Sequence, residues 1–375
     1  MIDREISNLT DAIESKMDRS KWKKYKFSDL VENIVEKVVP KNSGLKHYIG
    51  LEHLDSGSLK INRFGATESL IGDKLKIYKG DLIFAKRNSY LKRVAIADFN
   101  AVASAHSMVL RPKQKNVDPK FLPFFMMSEV FWKRAIEISV GSLSPTINWK
   151  SIAKQEFLLP PKAEQASLSD LLWAIDEVIE KEKGVLERLE KLKNSKLKET
   201  FKKENCIKLK IGSISESLDN RRIPIKSSIR TSGEYPYYGA SGIVDYVSDF
   251  IFDEEILLIS EDGENLNSRN LPIAYSVNEK CWVNNHAHVL KIKNASRYLV
   301  KEYFNFTDIS DFITSGTRPK LNKGVLMEMP IYMPFGGNEI KYEKDLLGID
   351  TSKLNCFKMI NASINLQKSL INQIF

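Results

Sequence analysis

Residues 164–203 read EQASLSDLLWAIDEVIEKEKGVLERLEKLKNSKLKETFKK, with one glycine, no proline and charges of both signs throughout. Leu168, Leu171, Ile175, Val178, Val185, Leu189 and Leu192 recur at steps of three and four, interrupted at Glu182. That period draws one apolar stripe along a helix and leaves the other faces solvated. Forty helical residues extend about 60 Å at a rise of about 1.5 Å each. The stretch 343–375 repeats the pattern with Leu347, Leu354, Phe357, Ile364, Ile371 and Phe375. The two stripes predict long antiparallel helices packed on each other. Ile2, Ile6 and Leu9 have the spacing of Val185, Leu189 and Leu192, which predicts a half-helix at the N-terminus, with Ile2–Met17 beside the helix around Leu347–Ile371.

Between the helical stretches the period changes. KIYKGDLIFA, RVAIADF and AHSMVLR are short runs of β-branched and aromatic residues bounded by turns, which read as strands. FLPFFMMSEVFWKRAIEIS (121–139) has helical spacing, and YLVKEYFNFTDISDFITS (298–315) holds the matching place further on. A fixed offset explains the match. Shifting by 174 lays GSLSPTINWKSIAKQEFLLP (141–160) on SGTRPKLNKGVLMEMPIYMP (315–334), with Pro145 on Pro319, Asn148 on Asn322 and Pro160 on Pro334. GDLIFA (80–85) falls on EEILLI (254–259) at the same offset. The expected architecture is α+β: two tandem mixed α/β domains separated by long antiparallel coiled-coil helices, with pseudo-two-fold symmetry. The predicted boundaries are an N-terminal helix 1–22, a first domain 23–161, a central helix 162–205, a second domain 206–336 and a C-terminal helix 337–375.

Composition narrows the partner. Residues 1–160 carry 27 Lys+Arg against 18 Asp+Glu, whereas residues 161–375 carry 30 of each, so the net charge of +9 belongs to the first half. A basic half points to an anionic partner such as a polyphosphate backbone. No apolar run approaches the roughly 18 residues that cross a bilayer, and MIDREISNLTDAIESK is not a secretion signal. Cys206, Cys281 and Cys356 are odd in number and far apart, which fits a reducing cytoplasm rather than a disulfide framework.

Catalytic signatures are missing. There is no G-x-x-x-x-G-K-[ST] phosphate loop, and GASG (239–242) lacks the dinucleotide-binding spacing. Neither the Asn-Pro-Pro-aromatic tetrapeptide of an adenine methyltransferase nor the Pro-Asp and Glu-x-Lys pair of a nuclease occurs. CWVNNHAHVLK (281–291) resembles a zinc site, since imidazole and thiolate are its usual ligands. Sliding AHSMVLR (105–111) by 180 places His106 on His286 but Met108 on His288, and methionine is no substitute there. The segment reads as a repeated strand with one histidine inward and the other outward. Asp262, Glu264 and Asn267 lie in a polar loop whose spacing fails the calcium pattern, so no metal is expected. The chain reads as a binder, not a catalyst.

YPYYGASGIVDYVSDFIFDEEILLISEDGENLNSRNLPIAYSVNEKCWVNNHAHVLK (235–291) resembles a target-recognition domain of the specificity subunits of type I restriction–modification systems. LLPPKAEQASLSDLLWAIDEVIE (158–180) is similar to the exit from such a domain into its spacer helix, and GDLIFAKRNSYLKRVAIA and GSLSPTINWKSI to elements of the first domain. The resemblance implies two target-recognition domains held apart by paired helices, each reading half of a split, asymmetric double-stranded DNA site. It implies two methyltransferase subunits docked on the helices and methylating adenine, and restriction/translocase subunits completing the complex. The chain itself needs no cofactor; S-adenosylmethionine, ATP and Mg are expected in the partners. A methylase with a fused nuclease is the nearer alternative, and a coiled-coil scaffold with no DNA role the more distant one. In the first domain the DNA-contact candidates are Lys86, Arg87, Asn88, Lys92, Arg93, Ser142, Ser144, Thr146, Asn148 and Lys150. In the second they are Tyr237, Tyr238, Ser241, Asn265, Asn267, Arg269, Thr317, Arg318, Lys320 and Lys323. These side chains hold the donors that meet phosphates and base edges. Because the second half is neutral, its binding is expected to rest on the local patch Arg318–Lys323. His286, Asn284 and Asn285 are expected to brace their domain, beside the apolar Val283, Val289 and Leu290.

Overall fold

The structure, a computed structural model, describes residues 17–314 and 316–375. The expected N-terminal helix with Ile2, Ile6 and Leu9 lies outside them. The chain forms two units, one running to Gly184 and joined by Lys358–Phe375, the other Val185–Phe357. Among the described residues no helix is long and apolar enough to cross a membrane.

In the first unit an antiparallel sheet has the order Val31–Ile34, Ser107–Pro112, Leu82–Ala85, Val94–Ile96. Both faces of the strand Leu82–Ala85 are covered. Leu82 and Phe84 enter a core with Phe125, Phe131 and Trp132, while Ile83 and Ala85 enter a second with Ile49 and Ala103. A second sheet, of five short strands, carries the parallel pair His47–Ile49 and Ala101–Ala103. The helix expected over 121–139 is two, Leu122–Met127 and Glu129–Glu137. Ser128 breaks it, because its extended backbone (φ −67°, ψ 150°) lets its side chain cap the second helix by accepting from the Phe131 N–H.

The second unit repeats the plan. Its four-stranded sheet runs Ser215–Ser217, Ala287–Ile292, Ile256–Ser260, Ala274–Val277, and its three-stranded sheet has a parallel pair in Tyr237 and Trp282. Ser107 pairs with Ala85 in the first unit and Ala287 with Ser260 in the second. The duplicated strand is therefore displaced by 175 residues, and the gapless offset of 174 is corrected by one. The faces agree: Leu257 and Ile259 enter the helix-side core, as Leu82 and Phe84 do, while Ile256 and Leu258 enter the other.

The long helices are Lys162–Thr200 and Asn338–Ile374. Within the first unit Leu172 shares a core with Leu370, Ile371 and Ile374, and Gln367 donates to Asp176 at 3.4 Å. Within the second, Lys193 meets Asp350 at 2.7 Å and Glu302 at 3.0 Å, Lys196 meets Asp345 at 2.9 Å, and Lys353 meets Glu190 at 3.7 Å. Both sets of pairs run antiparallel. The seam differs from the expected one. Leu168, Leu171, Ile175 and Leu189 are half-buried and Ile371 is buried, but Val178, Val185, Leu192, Leu347, Leu354, Phe357 and Ile364 are exposed. Leu172, Ile179, Leu197, Leu346 and Ile360 are buried instead. The expected stripe counted apolar residues alone, whereas the real one turns ion pairs inward and so rotates by about one position.

Burial of the Asp350 carboxyl raises it, but hydrogen bonds from Lys193 and Tyr298 outweigh burial and leave it below its ordinary value. Burial lowers Lys193, and Asp350 and Glu302 together raise it above its own. The pair therefore stabilises the fold fully between the unfolded values of about 4 and about 10.4. Its contribution is lost as pH falls through the lowered carboxyl value or rises through the raised ammonium value. Lys193→Ala leaves the half-buried Asp350 without its paired cation, while Glu302 keeps Lys301 at 2.8 Å, and an expected loss of about 3 kcal/mol is measured by urea unfolding at pH 7.

Candidate nucleic-acid interface

In the second unit three remote segments meet: the end of the strand Ile256–Ser260, the turn before Ala287–Ile292, and the loop around Arg318. Leu321 donates its N–H to the Glu261 carbonyl at 2.8 Å, and Gly263 donates to Pro319 at 3.0 Å. Asp262 accepts from Arg318 at 2.6 Å, and the His286 ring lies 3.0 Å from the same carboxylate. Lys320 pairs with Glu261 at 3.0 Å, and Arg222 reaches the other oxygen of Glu261 at 2.5 Å. Beneath them His288 is 1% exposed. Its Nδ1 lies 2.7 Å from Asp219 and its Nε2 2.7 Å from the Leu321 carbonyl, so both ring nitrogens are engaged.

Asp219, Glu261 and His288 place three possible ligand atoms within 4.8 Å of one another. Arg222 and Lys320 already neutralise those carboxylates, and both His288 nitrogens are engaged. The arrangement is that of a clamp tying the terminal loop to the sheet. Cys281 stands apart in the core; burial first, then Glu279, pushes its thiol up to about 12, which disfavours the thiolate a metal requires. His286 is half-exposed in the turn before the strand Ala287–Ile292, whereas His288 on that strand is buried; residues two apart on a strand share a face, so the turn and not strand alternation separates the two histidines.

The first unit has the same junction with its chemistry exchanged. Ile147 donates to the Lys86 carbonyl at 2.8 Å, and Ser89 to Pro145 at 3.2 Å. Arg87 donates to the Ser144 hydroxyl at 2.8 Å, Ser144 donates to Asn88 at 2.7 Å, and Arg87 lies 3.4 Å from His106. Asn88 (φ 55°) and Lys92 (φ 48°) turn the loop through left-handed backbone. The guanidinium thus stands on the strand-end loop in one unit and on the terminal loop in the other, each beside the equivalent histidine.

Several candidates are committed elsewhere. Tyr237 is 1% exposed, with its hydroxyl 2.9 Å from the Ile225 N–H, and Tyr238 is buried, its hydroxyl raised to about 12 by burial first and then Glu279. Arg269 donates to the carbonyls of Phe304 and Thr307 at 2.8 and 2.6 Å, and Asn265 brackets Leu271. Lys92 is paired with Glu129, and Arg93 donates to the Leu51 carbonyl. In each of these six the side chain is buried or has a partner within its own unit. Lys86 is half-buried, and burial lowers its ammonium. Arg87, Ser142, Asn148, Lys150, Ser241, Asn267, Thr317, Arg318 and Lys323 are exposed, with Asn88, Ser144, Thr146 and Lys320 half-buried. The patch Arg318–Lys323 is less cationic than expected, since Arg318 and Lys320 each hold a carboxylate. Asp219 and Arg222 escaped the sequence reading, because only the fold brings them to Glu261.

Residues 19–191 and 203–339 match the profile of the family described as type I restriction modification DNA specificity domain. A segment of 123 residues, 32% of this chain, is 39% identical to the Haemophilus influenzae protein described as type I restriction enzyme specificity subunit S.HindORF215P and covers 31% of it. Another, of 163 residues and 42% of this chain, is 26% identical to the Escherichia coli type I restriction enzyme EcoDI specificity subunit and covers 36% of it. The matched parts span about a third of the length of these curated relatives. The fold is shared with the type I restriction-modification S subunit from M. genitalium, at TM-score 0.62 and 17% identity over 96% of this chain and 98% of that one. It is shared also with a chain from a structural study of complex assembly and conformational transition of the type I R-M system, at TM-score 0.58 and 16% identity over 94% and 96%.

The clamp carries a pH signature. Burial raises the Asp219 carboxyl, but His288 and the Val289 N–H outweigh burial and hold it below its ordinary value. Its stabilisation is complete above the unfolded value of about 3.9 and is lost as pH falls through the lowered folded value. Asp219→Asn is expected to cost about 1.5–3 kcal/mol at pH 7, the range for hydrogen bonds to charged groups. In urea titrations the gap between variant and parent should narrow below about pH 4.

Proposed function

The chain belongs to the type I restriction modification DNA specificity family, and from that membership we propose that each of its units reads one half of a bipartite, asymmetric DNA site. The observation that carries this reading is the duplicated junction. One backbone arrangement presents Arg87, Asn88 and Ser144 in the first unit, and Asp262, Arg318 and Lys320 in the second. The guanidinium of either loop is suited to the O6 and N7 of guanine and Asn88 to adenine, while the buried Asp262 orients Arg318. Different side chains on matching backbones support two different half-sites.

The same reading assigns the long helices to methyltransferase docking. Leu354 and Phe357 are each 54% exposed, on a helix whose inward face carries ion pairs. An apolar outer face of this kind is covered in a stable complex. The reaction then belongs to the partners: methyltransferase subunits that transfer a methyl group from S-adenosylmethionine to adenine, and restriction subunits that take ATP and Mg. This chain supplies the address.

Adenine-methylation mapping tests the reading, on DNA from cells expressing the chain with the methyltransferase encoded beside it. A single split, asymmetric motif is expected, and exchange of residues 206–335 should change one half only. Absence of any motif from a soluble, associated pair would sink the proposal. Arg318→Ala with Lys320→Ala should weaken binding to a duplex carrying the motif and lower its salt slope by up to about 2, about one for each phosphate contact. Leu354→Glu with Phe357→Glu should abolish co-purification with the methyltransferase while the unfolding free energy of the chain, from urea titration, stays within about 0.5 kcal/mol of the parent, as for surface substitutions.

A further inference from the structure

Resting on that reading, we propose that the loop Arg222–Arg230 is a second DNA-reading element of the second unit, with Lys226 on a phosphate and Ile229 against a thymine methyl group. The unit needs another cation, because Arg318 and Lys320 are held by Asp262 and Glu261. The loop springs from the same network. Arg222, at its start, binds Glu261 at 2.5 Å, the carboxylate that Lys320 also binds, and donates to the Ala287 carbonyl at 2.8 Å.

Its base is stapled. Trp282 donates to the Ile223 carbonyl at 2.6 Å, and the buried Tyr237 hydroxyl accepts from the Ile225 N–H at 2.9 Å. Arg230 lies over the Tyr237 ring at 4.3 Å, donates to the Ile225 carbonyl at 3.0 Å, and pairs with Asp245 at 3.0 Å. A short 3-10 turn, Ser227–Ile229, forms the tip. There the side chains of Lys226, Ser227, Ser228 and Ile229 are exposed and have no hydrogen-bond or ionic partner among the described residues. Ile229 is 70% exposed. A rigid base under a tip of one free cation, two hydroxyls and an apolar knob suits a DNA groove. The ammonium neutralises a phosphate, the hydroxyls take either donor or acceptor edges, and an apolar side chain selects the thymine methyl.

The first unit offers an independent parallel. The strand His47–Ile49, which makes the parallel pair there, is also entered from a short 3-10 turn, Pro40–Asn42, beside exposed Lys41 and Lys46. Tyr48 pairs with Val102 in that unit as Tyr237 pairs with Trp282 in this one. Both units thus lead a basic turn into the same strand. In the second unit, however, the loop carries the charge that the terminal loop has lost to its own carboxylates.

Methylation mapping in the complete complex tests the loop through exposed residues whose substitution leaves the fold intact. Ile229→Ser is expected to reduce the preference for A·T at one position of one half-site at least about fivefold, the low end of what one base pair contributes. Lys226→Ala should leave the motif unchanged but lower the salt slope for a labelled duplex carrying it by about 1. Tyr237→Phe, which removes the hydroxyl holding Ile225, should blur the position that Ile229 reads without altering the other half-site. If Ile229→Ser and Lys226→Ala both match the parent in motif and slope while Arg318→Ala does not, the loop is no reader and the broader function stands. If they change only co-purification with the methyltransferase, the loop is a subunit contact and the inference is overturned. A parent complex that methylates no motif removes the underlying reading and the inference with it.

Discussion

A strand buried on both faces can end in only one place, and the recognition surface of each unit depends on that constraint. Ile256 and Leu258 enter one core while Leu257 and Ile259 enter the other, and none is more than 1% exposed. A slip of one residue would exchange the two sets and put every side chain against the wrong core. The register therefore fixes where the strand stops, and with it the positions of Glu261 and Asp262. Those two residues then receive the terminal loop and the turn bearing His286. The order of dependence runs from packing to register to loop, which lets polar loop residues vary while the junction that presents them is preserved.

The two junctions show how much variation the backbone tolerates. The first is mostly neutral apart from Arg87, with Ser144 and Asn88 completing a small hydrogen-bonded set. The second alternates carboxylates and cations and is anchored by a buried histidine, where the first unit places Met108. A methionine needs no partner in a core; a histidine needs two. Asp219 and the Leu321 carbonyl meet that need, and in doing so they tie the terminal loop down. Charge in the second unit is thus consumed in holding the loops, a function that apolar packing performs in the first.

The duplication, the long helices and the strand candidates were legible because each is a periodic or local property: apolar spacing, β-branched runs, a repeated proline and asparagine. Partner choice was not legible. Arg269 and Arg318 look alike in sequence, yet one is satisfied by the carbonyls of Phe304 and Thr307 while the other stands at the surface beside Asp262. Tyr237 is a candidate DNA contact in sequence, but in the strand that pairs in parallel with Trp282 it is buried. The offset is 174 in the terminal loop, 175 at the central strand and 180 at the strands Ser107–Pro112 and Ala287–Ile292, so insertions and deletions of several residues separate these elements and no one gapless shift aligns them all.

The helical seam makes the same point with an opposite sign. Sequence spacing assigns Leu347, Leu354 and Phe357 to the interior, whereas the second unit buries Leu197 and Leu346 and flanks them with the half-buried ion pairs of Lys193 with Asp350 and Lys196 with Asp345. An apolar seam of leucines tolerates displacement by a whole heptad, because one leucine replaces another. An ionic seam does not: moving Lys193 away from Asp350 strands a partly buried carboxylate, a loss that no neighbouring apolar contact offsets. The ion pairs therefore set the helix register more sharply than leucines could, at little gain in stability. Turning them inward also turns the leucines and Phe357 outward, so that one rotation about the helix axis yields both a defined pairing and an apolar surface for a partner.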